Sequence, residues 1–362
     1  MNEALRLAQH RPRIVVVGAG IIGSAITYNL AIQGADVLLL DKGHTAGSGV
    51  TGRAFGWINV INGTPGDQSY ALWREAVAEY RALQVVLPTA FACARSGALL
   101  WKSTAEETET FAELHRHAGE RVELLSRKTL QELEPRIRRA PDLAAFSPDD
   151  LALDPGQLAI DLVAAAVAAG GSTLFGATAY AIETANGKVS GLKVGHETIP
   201  ADIVVMSAGP GIQELTDGLG IQTGLTTSPA LLLRYGCNRP IISHILRGPR
   251  LEIRQATDGT LLVAKSYVAN GDENLPKLIG ETLLAVMKDE LDLPAQVTLK
   301  SAEIGERPVF VDGLPRMGFL SEVENLYLAV GHPGVILAPL MGRVTAEEIM
   351  EVRGKNATLT PH

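Results

Sequence analysis

Short apolar runs and helix-period stretches alternate along most of this chain. Ile14–Val17 and Val37–Leu40 are continuous apolar runs of strand length, separated by a small-residue segment with the pattern of a helix. Residues 69–86 place Leu72, Ala76, Tyr80 and Leu83 on one helical face, with Trp73 and Val77 beside them. Residues 90–102 read as strand material ending at Trp101. A capping-box pattern, Thr104-x-x-Glu107, starts a helix through about His117, and a short helix runs from Ser126 until Pro135 stops it. His115 and His117 lie near the end of their helix, where a cation is favourable. Asp154-Pro155 opens a helix that Gly170-Gly171 closes. A hairpin follows, with strands 173–182 and 188–194 around Asn186-Gly187. Residues 203–207 are apolar enough for a buried strand, and 222–266 read as sheet with a second hairpin at Asp258-Gly259. Helix 277–290, strand 296–304 and a final strand, glycine turn and long helix complete the chain.

The α/β pattern occupies the start, the middle and the end, with mixed β-rich material between. That order predicts an α/β fold: a Rossmann-like nucleotide domain of discontinuous segments with an inserted mixed-sheet α+β domain. Residues 1–60, 153–220 and 313–362 are expected to form the first, and 61–152 and 221–312 the second.

The first βαβ unit carries chemistry. Its opening strand meets Gly18-x-Gly20-x-x-Gly23, and its second strand ends at Asp41. Gly18 permits a tight turn, Gly20 lets a pyrophosphate approach the backbone, and Gly23 lets the helix sit close on the strand. The helix N-terminus directs free N–H groups at the phosphates, and Asp41 is spaced to take a ribose hydroxyl. The Gly/Ser/Thr-rich stretch after Asp41 is long enough to be a functional loop.

Composition narrows the partners. The formal net charge is −8 with no block of like charge, which argues against nucleic acid or anionic membrane as a target. Cys93 and Cys237 match no metal-ligand or CxxC spacing, so no metal is expected and a reducing, cytoplasmic setting is. Residues 1–12 read as a lead-in rather than a secretory signal, and no segment reaches membrane-spanning length.

Seven pieces in order resemble the D-amino acid oxidase-like family of FAD-dependent oxidoreductases, which includes glycine oxidase, sarcosine oxidase and amino acid dehydrogenases. They are the opening motif through Lys42, SGVTGRAFG at 48–56, the helix ending at Glu134-Pro135, Leu153-Asp154-Pro155, VVMSAGPG at 204–211, Arg307-Pro308 with Asp312-Gly313-Leu314-Pro315, and NLYLAVGHPGVILAPLMG at 325–342. The resemblance implies FAD, and it implies oxidation of the C–N bond of an amino acid or N-substituted amino acid. Hydride would pass to flavin N5, followed by imine hydrolysis, with oxygen or another acceptor taking the electrons. The family's covalent members carry a cysteine soon after the Arg-Pro region. No cysteine follows Cys237, so FAD is expected to be non-covalent. Pro333 stands where glycine oxidase has arginine, and Ala179 where the family often has valine on the adenine side.

The cofactor-binding residues implied are Gly18, Gly20, Ile22, Gly23, Asp41, Lys42, Thr51, Gly52, Arg53, Ala54, Ala179, Ala208, Gly209, Gly331, Gly334, Val335, Ile336 and Leu337. Arg307 is the candidate carboxylate clamp, since a guanidinium fork matches a carboxylate; a salt bridge to Glu303 or Glu306 is the alternative. His332 either contacts the ring or is a core histidine. Lys265 either promotes reaction of reduced flavin with oxygen or is a solvated edge lysine. Arg254 either anchors an acidic substrate side chain or faces solvent. Three rival functions share parts of this pattern: the catalytic subunit of a multi-subunit opine, proline or hydroxyproline dehydrogenase, a non-catalytic FAD-binding assembly subunit, and an NAD-linked dehydrogenase.

Overall fold

The computed structural model describes residues 13–268 and 275–358, with side chains to 352. The lead-in expected over 1–12 lies outside the described residues. Three sheets organise the chain. The first has six strands in the order Arg316–Phe319, Leu326–Val330, Ile203–Met206, Arg13–Val17, Asp36–Asp41 and Ser172–Phe175. All neighbours are parallel except the first pair. The four central strands, Leu326–Val330, Ile203–Met206, Arg13–Val17 and Asp36–Asp41, are buried on both faces, which is why they are apolar runs, while the edge strand Ser172–Phe175 is largely exposed. One face carries the helices Ile21–Ile32, Pro155–Ala168 and Gly334–Thr358; the other is covered by the three-stranded sheet Ala179–Ala185, Lys188–Val194 and Glu197–Pro200.

The third sheet is larger and mostly antiparallel. It runs Thr298–Val309, Thr226–Gly236, Leu261–Ser266, Glu252–Gln255, Ile245–Arg247, Arg95–Leu100, Leu143–Ala152 and Trp57–Ile58, with Glu123–Ser126 branching from Leu143–Ala152. One face packs on the helix Pro276–Glu290 through Leu233, Tyr235, Ile253, Leu261, Val263, Leu283 and Met287. The opposite face meets the loop that follows Asp41.

Three expectations change in the folded chain. The strand expected over 173–182 is two strands in two sheets, because Gly176 turns the chain at φ +69. The strand expected over 90–102 is confined to Arg95–Leu100, and Pro88–Phe91 form a 3₁₀ turn after the preceding helix. His115 is not an exposed cation at a helix end. It is buried, its Nδ1 lies 3.2 Å from the Tyr70 hydroxyl, and burial, with Lys102 nearby, lowers its pKa to about 4. The capping box at Thr104 and Glu107 forms as the spacing predicts.

Candidate active site

The opening glycine turn is shaped by contacts that admit no side chain. Gly18 has φ +106, and a Cβ there would lie 2.6 Å from the Ser207 carbonyl oxygen. A methyl at Gly23 would overlap the Gly18 carbonyl oxygen and the Ser207 hydroxyl. The Ser207-Ala208-Gly209 segment therefore rests directly on the turn. The first helix begins at Gly20 with no side-chain cap of its own, and Thr51 Oγ1 takes the Ile21 N–H at 3.0 Å. A Cβ on Gly20 would meet only that hydroxyl, at 3.4 Å. Asp41 accepts the Ala19 N–H on Oδ2 and the Gly43 N–H on Oδ1, each at 2.6 Å. Two carboxylate oxygens have lone pairs for further donors, and Lys42 beside it is exposed.

The closing turn meets this one. A Cβ on Gly334 would lie 3.3 Å from Ile22 Cδ1. The Tyr80 hydroxyl, on the buried side of the helix Gln68–Val86, donates to the Val335 carbonyl at 2.5 Å. The stripe that includes Tyr80 thus positions the Gly331–Leu337 turn as well as filling core. The long final helix starts at Gly334 with Ile336 and Leu337 buried, so its N-terminus and free N–H groups sit at that turn.

The loop between the turns crosses to the large sheet. Arg53 Nε lies 3.7 Å from Glu303 Oε2, and a Cβ on Gly305 would lie 3.4 Å from Arg53 Cβ. Trp57 Nε1 donates to the buried Asp150 carboxylate at 2.7 Å, which Ser147 also donates to. Asp150 has no sequence motif around it; burial pushes its pKa up to about 7.

Arg307 projects from the same sheet face as Arg234, since it pairs with Ser228 and side chains alternate along each strand. Its Nε donates to the Ser228 carbonyl at 3.0 Å and its Nη2 to the Ser228 hydroxyl at 2.7 Å. Neither acid weighed as its partner pairs with it. Glu303 is engaged by Arg53 and Arg234, and Glu306 is exposed on the other face. Among the described residues Arg307 is thus a half-buried cation with no carboxylate. His332 lies close enough to feel it: burial first, then the Arg307 charge, lower the His332 pKa to about 4. His332 is therefore neutral at physiological pH. Replacing it with Gln should leave the shape of the kcat/KM–pH profile unchanged between about pH 6 and 9. A limb of that profile vanishing in the variant would assign the titration to His332 after all.

Two assignments change in the folded chain. Lys265 pairs with Leu231 and follows Val263 by two residues, so it lies on the helix-covered face, exposed at its edge, opposite to Arg307. A lysine there is separated from the Arg307 face by the sheet. Lys265→Met should accordingly leave flavin reoxidation by oxygen within about twofold; a tenfold slowing, roughly 1.4 kcal/mol, would restore its role. Arg254 does not face solvent and does not offer its fork to a substrate. It is 5% exposed, and its Nε and Nη2 donate to the carbonyls of Phe55 and Leu153. Beside Asp41 the Ala177 N–H reaches the Asp41 carbonyl at 3.0 Å, and Ala179, expected on the adenine side, starts the three-stranded sheet just beyond.

Comparison with known proteins completes this picture. The family described as FAD dependent oxidoreductase (DAO) matches residues 13–348. The chain belongs to this family of FAD-dependent oxidoreductases. It is 27% identical to a glycine oxidase of Geobacillus kaustophilus, with 93% of each chain covered. It is 25% identical to D-amino acid dehydrogenase 2 of Ralstonia nicotianae, over 91% of this chain and 94% of that one. The crystal structure of glycine oxidase from Geobacillus kaustophilus superposes with a TM-score of 0.81 at 23% identity, covering 95% of both chains, and shares the fold. The DAO-family residues described above fit the family's cofactor. The helix start at the side-chain-free Gly20, where Thr51 takes only the Ile21 N–H, leaves room and further donors for a pyrophosphate. Among the described residues of this oxidoreductase, no helix is long and apolar enough to cross a membrane.

Proposed function

We propose that this protein oxidises the C–N bond of an amino acid or N-substituted amino acid, with FAD bound non-covalently between the two glycine turns. The observation that carries this reading is Arg307: a half-buried guanidinium beside a neutral histidine, with no acid of its own. A buried cation without a counter-ion is costly. A substrate carboxylate would relieve that cost while fixing the substrate's orientation. Bound FAD supplies the electron acceptor. Val335 is fixed by Tyr80, and the helix N-terminus at Gly334 would favour negative charge developing next to it. Neutral His332 adds no competing cation for the carboxylate. Cys93 is exposed and Cys237 packs in the core behind the large sheet, which supports non-covalent attachment. The domain division at 1–60, 153–220 and 313–362 against 61–152 and 221–312 is supported by the strands each segment supplies, the first crossing falling at Gly56-Trp57.

The position of Lys265 favours a second reading of the acceptor. With no lysine on the Arg307 face of that strand, the catalytic subunit of a dehydrogenase, handing electrons to a partner, gains support over an oxidase using oxygen. Anaerobic titration of the purified protein with D-, L- and N-alkyl amino acids, followed at the visible flavin band, tests the main proposal. Bleaching by one group of these compounds is expected. If none bleaches the flavin, the assembly-subunit reading takes its place. Readmitting air then separates the acceptors: prompt peroxide formation supports the oxidase, and a persistently reduced flavin the dehydrogenase.

A further inference from the structure

Two arginines of the large sheet hold the cofactor loop by its carbonyl oxygens. Arg234 Nη2 donates to Gly52 O at 2.7 Å, and Arg254 donates from Nε to Phe55 O and from Nη2 to Leu153 O. Arg234 is itself steadied by Glu303, 3.4 Å from its Nε, and Glu303 also reaches Arg53 on the loop. Among the described residues no carboxylate forms an ion pair with Arg254, though the Asp154 charge acts on it. Burial lowers its pKa to about 10, so it remains charged at neutral pH. The place it occupies is a chain crossing. Leu153 N donates to Gly56 O at 2.9 Å, and a Cβ on Gly56 would overlap Leu153 O and approach Arg254 Nη2 to 3.1 Å. Two passages between the six-stranded and the large sheet, at Gly56 and at Leu153, therefore meet on one guanidinium.

We propose that Arg254 and Arg234 are positioning residues that hold the loop Thr51–Gly56 in the shape that receives FAD. A planar fork can take two carbonyls from separate segments at once, which an ammonium point charge cannot do in the same geometry. A trans peptide turns its C=O and N–H in opposite directions. Drawing the Phe55 carbonyl onto the sheet therefore turns the Gly56 N–H away from it, toward an acceptor on the loop's other side. A buried charge satisfied only by carbonyls is tolerated because those carbonyls would otherwise be buried without donors. The same grip keeps Thr51 over the helix start, where its hydroxyl caps Ile21. This inference rests on the FAD seat proposed above, and on no claim about the substrate.

The test uses the full-length protein with Arg254→Met, Arg254→Lys and Arg234→Met. Three quantities are read: amide hydrogen exchange of peptides covering residues 50–58 in the apoprotein, FAD affinity by quenching of flavin fluorescence, and the visible circular dichroism of the bound flavin. Arg254→Met should speed exchange in those peptides, weaken FAD by about 100-fold and alter the flavin dichroism. Arg254→Lys should recover little of this, and Arg234→Met should weaken FAD by about 10-fold. FAD affinity within about twofold of wild type and unchanged loop exchange in these variants would overturn the proposal. So would an Arg254→Met protein that keeps FAD but loses carboxylate-ligand binding, which would make Arg254 a substrate anchor. If Arg254→Met does not fold, Arg234→Met decides by the same criteria, since the Arg234 side chain is 31% exposed and its loss costs less burial. A wild-type protein that binds no FAD would sink the cofactor reading, and loop exchange in the apoprotein would then judge the grip by itself.

Discussion

Arg307→Ala is expected to lower kcat/KM for an amino-carboxylate substrate by about 10³-fold, roughly 4 kcal/mol, with FAD affinity unchanged within about twofold. The size follows from what the truncation leaves behind. Arg307 donates to Ser228 through its backbone carbonyl and hydroxyl, and meets no acid among the described residues. Its remaining donors would serve a carboxylate that enters. Removing the guanidinium would strand a desolvated substrate carboxylate opposite neutral His332, with nothing to pair it. The measurement is steady-state kinetics on a reactive amino acid and on the matching amine lacking its carboxylate. The carboxylate substrate should suffer the loss and the plain amine should not. Equal losses on both would mean that Arg307 shapes the site without binding the substrate's acid group.

The second large effect concerns the cofactor end. Gly23→Ala should destabilise the protein by about 2–3 kcal/mol and weaken FAD by about 100-fold or more. The new methyl would overlap the Gly18 carbonyl oxygen and the Ser207 hydroxyl, both held by the turn and by Ser207 Oγ donating to Gly18 O at 3.3 Å. Relief requires the first helix to move off the strand. That shift would carry the Ile21 N–H away from Thr51 and open the contact between Ile22 and Gly334. Urea melts of the apoprotein and FAD titration report the two parts separately. A variant with wild-type stability and FAD affinity would show that the turn has slack its contacts do not suggest. A methyl at Gly34, which has nothing within 4 Å but a φ of +75, makes a useful control for strain without overlap.

The local features of the fold were legible along the chain because their causes are neighbours in sequence. The glycine turn, the capping box at Thr104, the Asp154 cap with Pro155 and the two hairpin turns each depend on residues within a few positions. So did the central parallel strands, whose continuous apolar runs report burial on both faces. The candidate site was legible where it coincided with such features: Gly18, Gly20, Gly23, Asp41 and the closing turn at Gly331–Leu337. It became illegible where a side chain's role depends on which face of a sheet it occupies.

Lys265 and Arg254 show the difference. Both stand on strands of one hairpin, and nothing in the local pattern says which face looks toward the loop. Pairing with strands far away in sequence sets that, and it placed Lys265 behind the sheet and Arg254 beneath the loop. Burial altered the histidines, since desolvation by distant segments makes both His115 and His332 neutral. What the chain determined by itself was the family of fold and the two glycine turns that flank the proposed cofactor site, because glycine conformation and apolar periodicity are local properties. Which cations face that proposed site, and which of them lack an acid among the described residues, was decided only by the assembled sheets, because strand alternation and desolvation are properties of the whole fold.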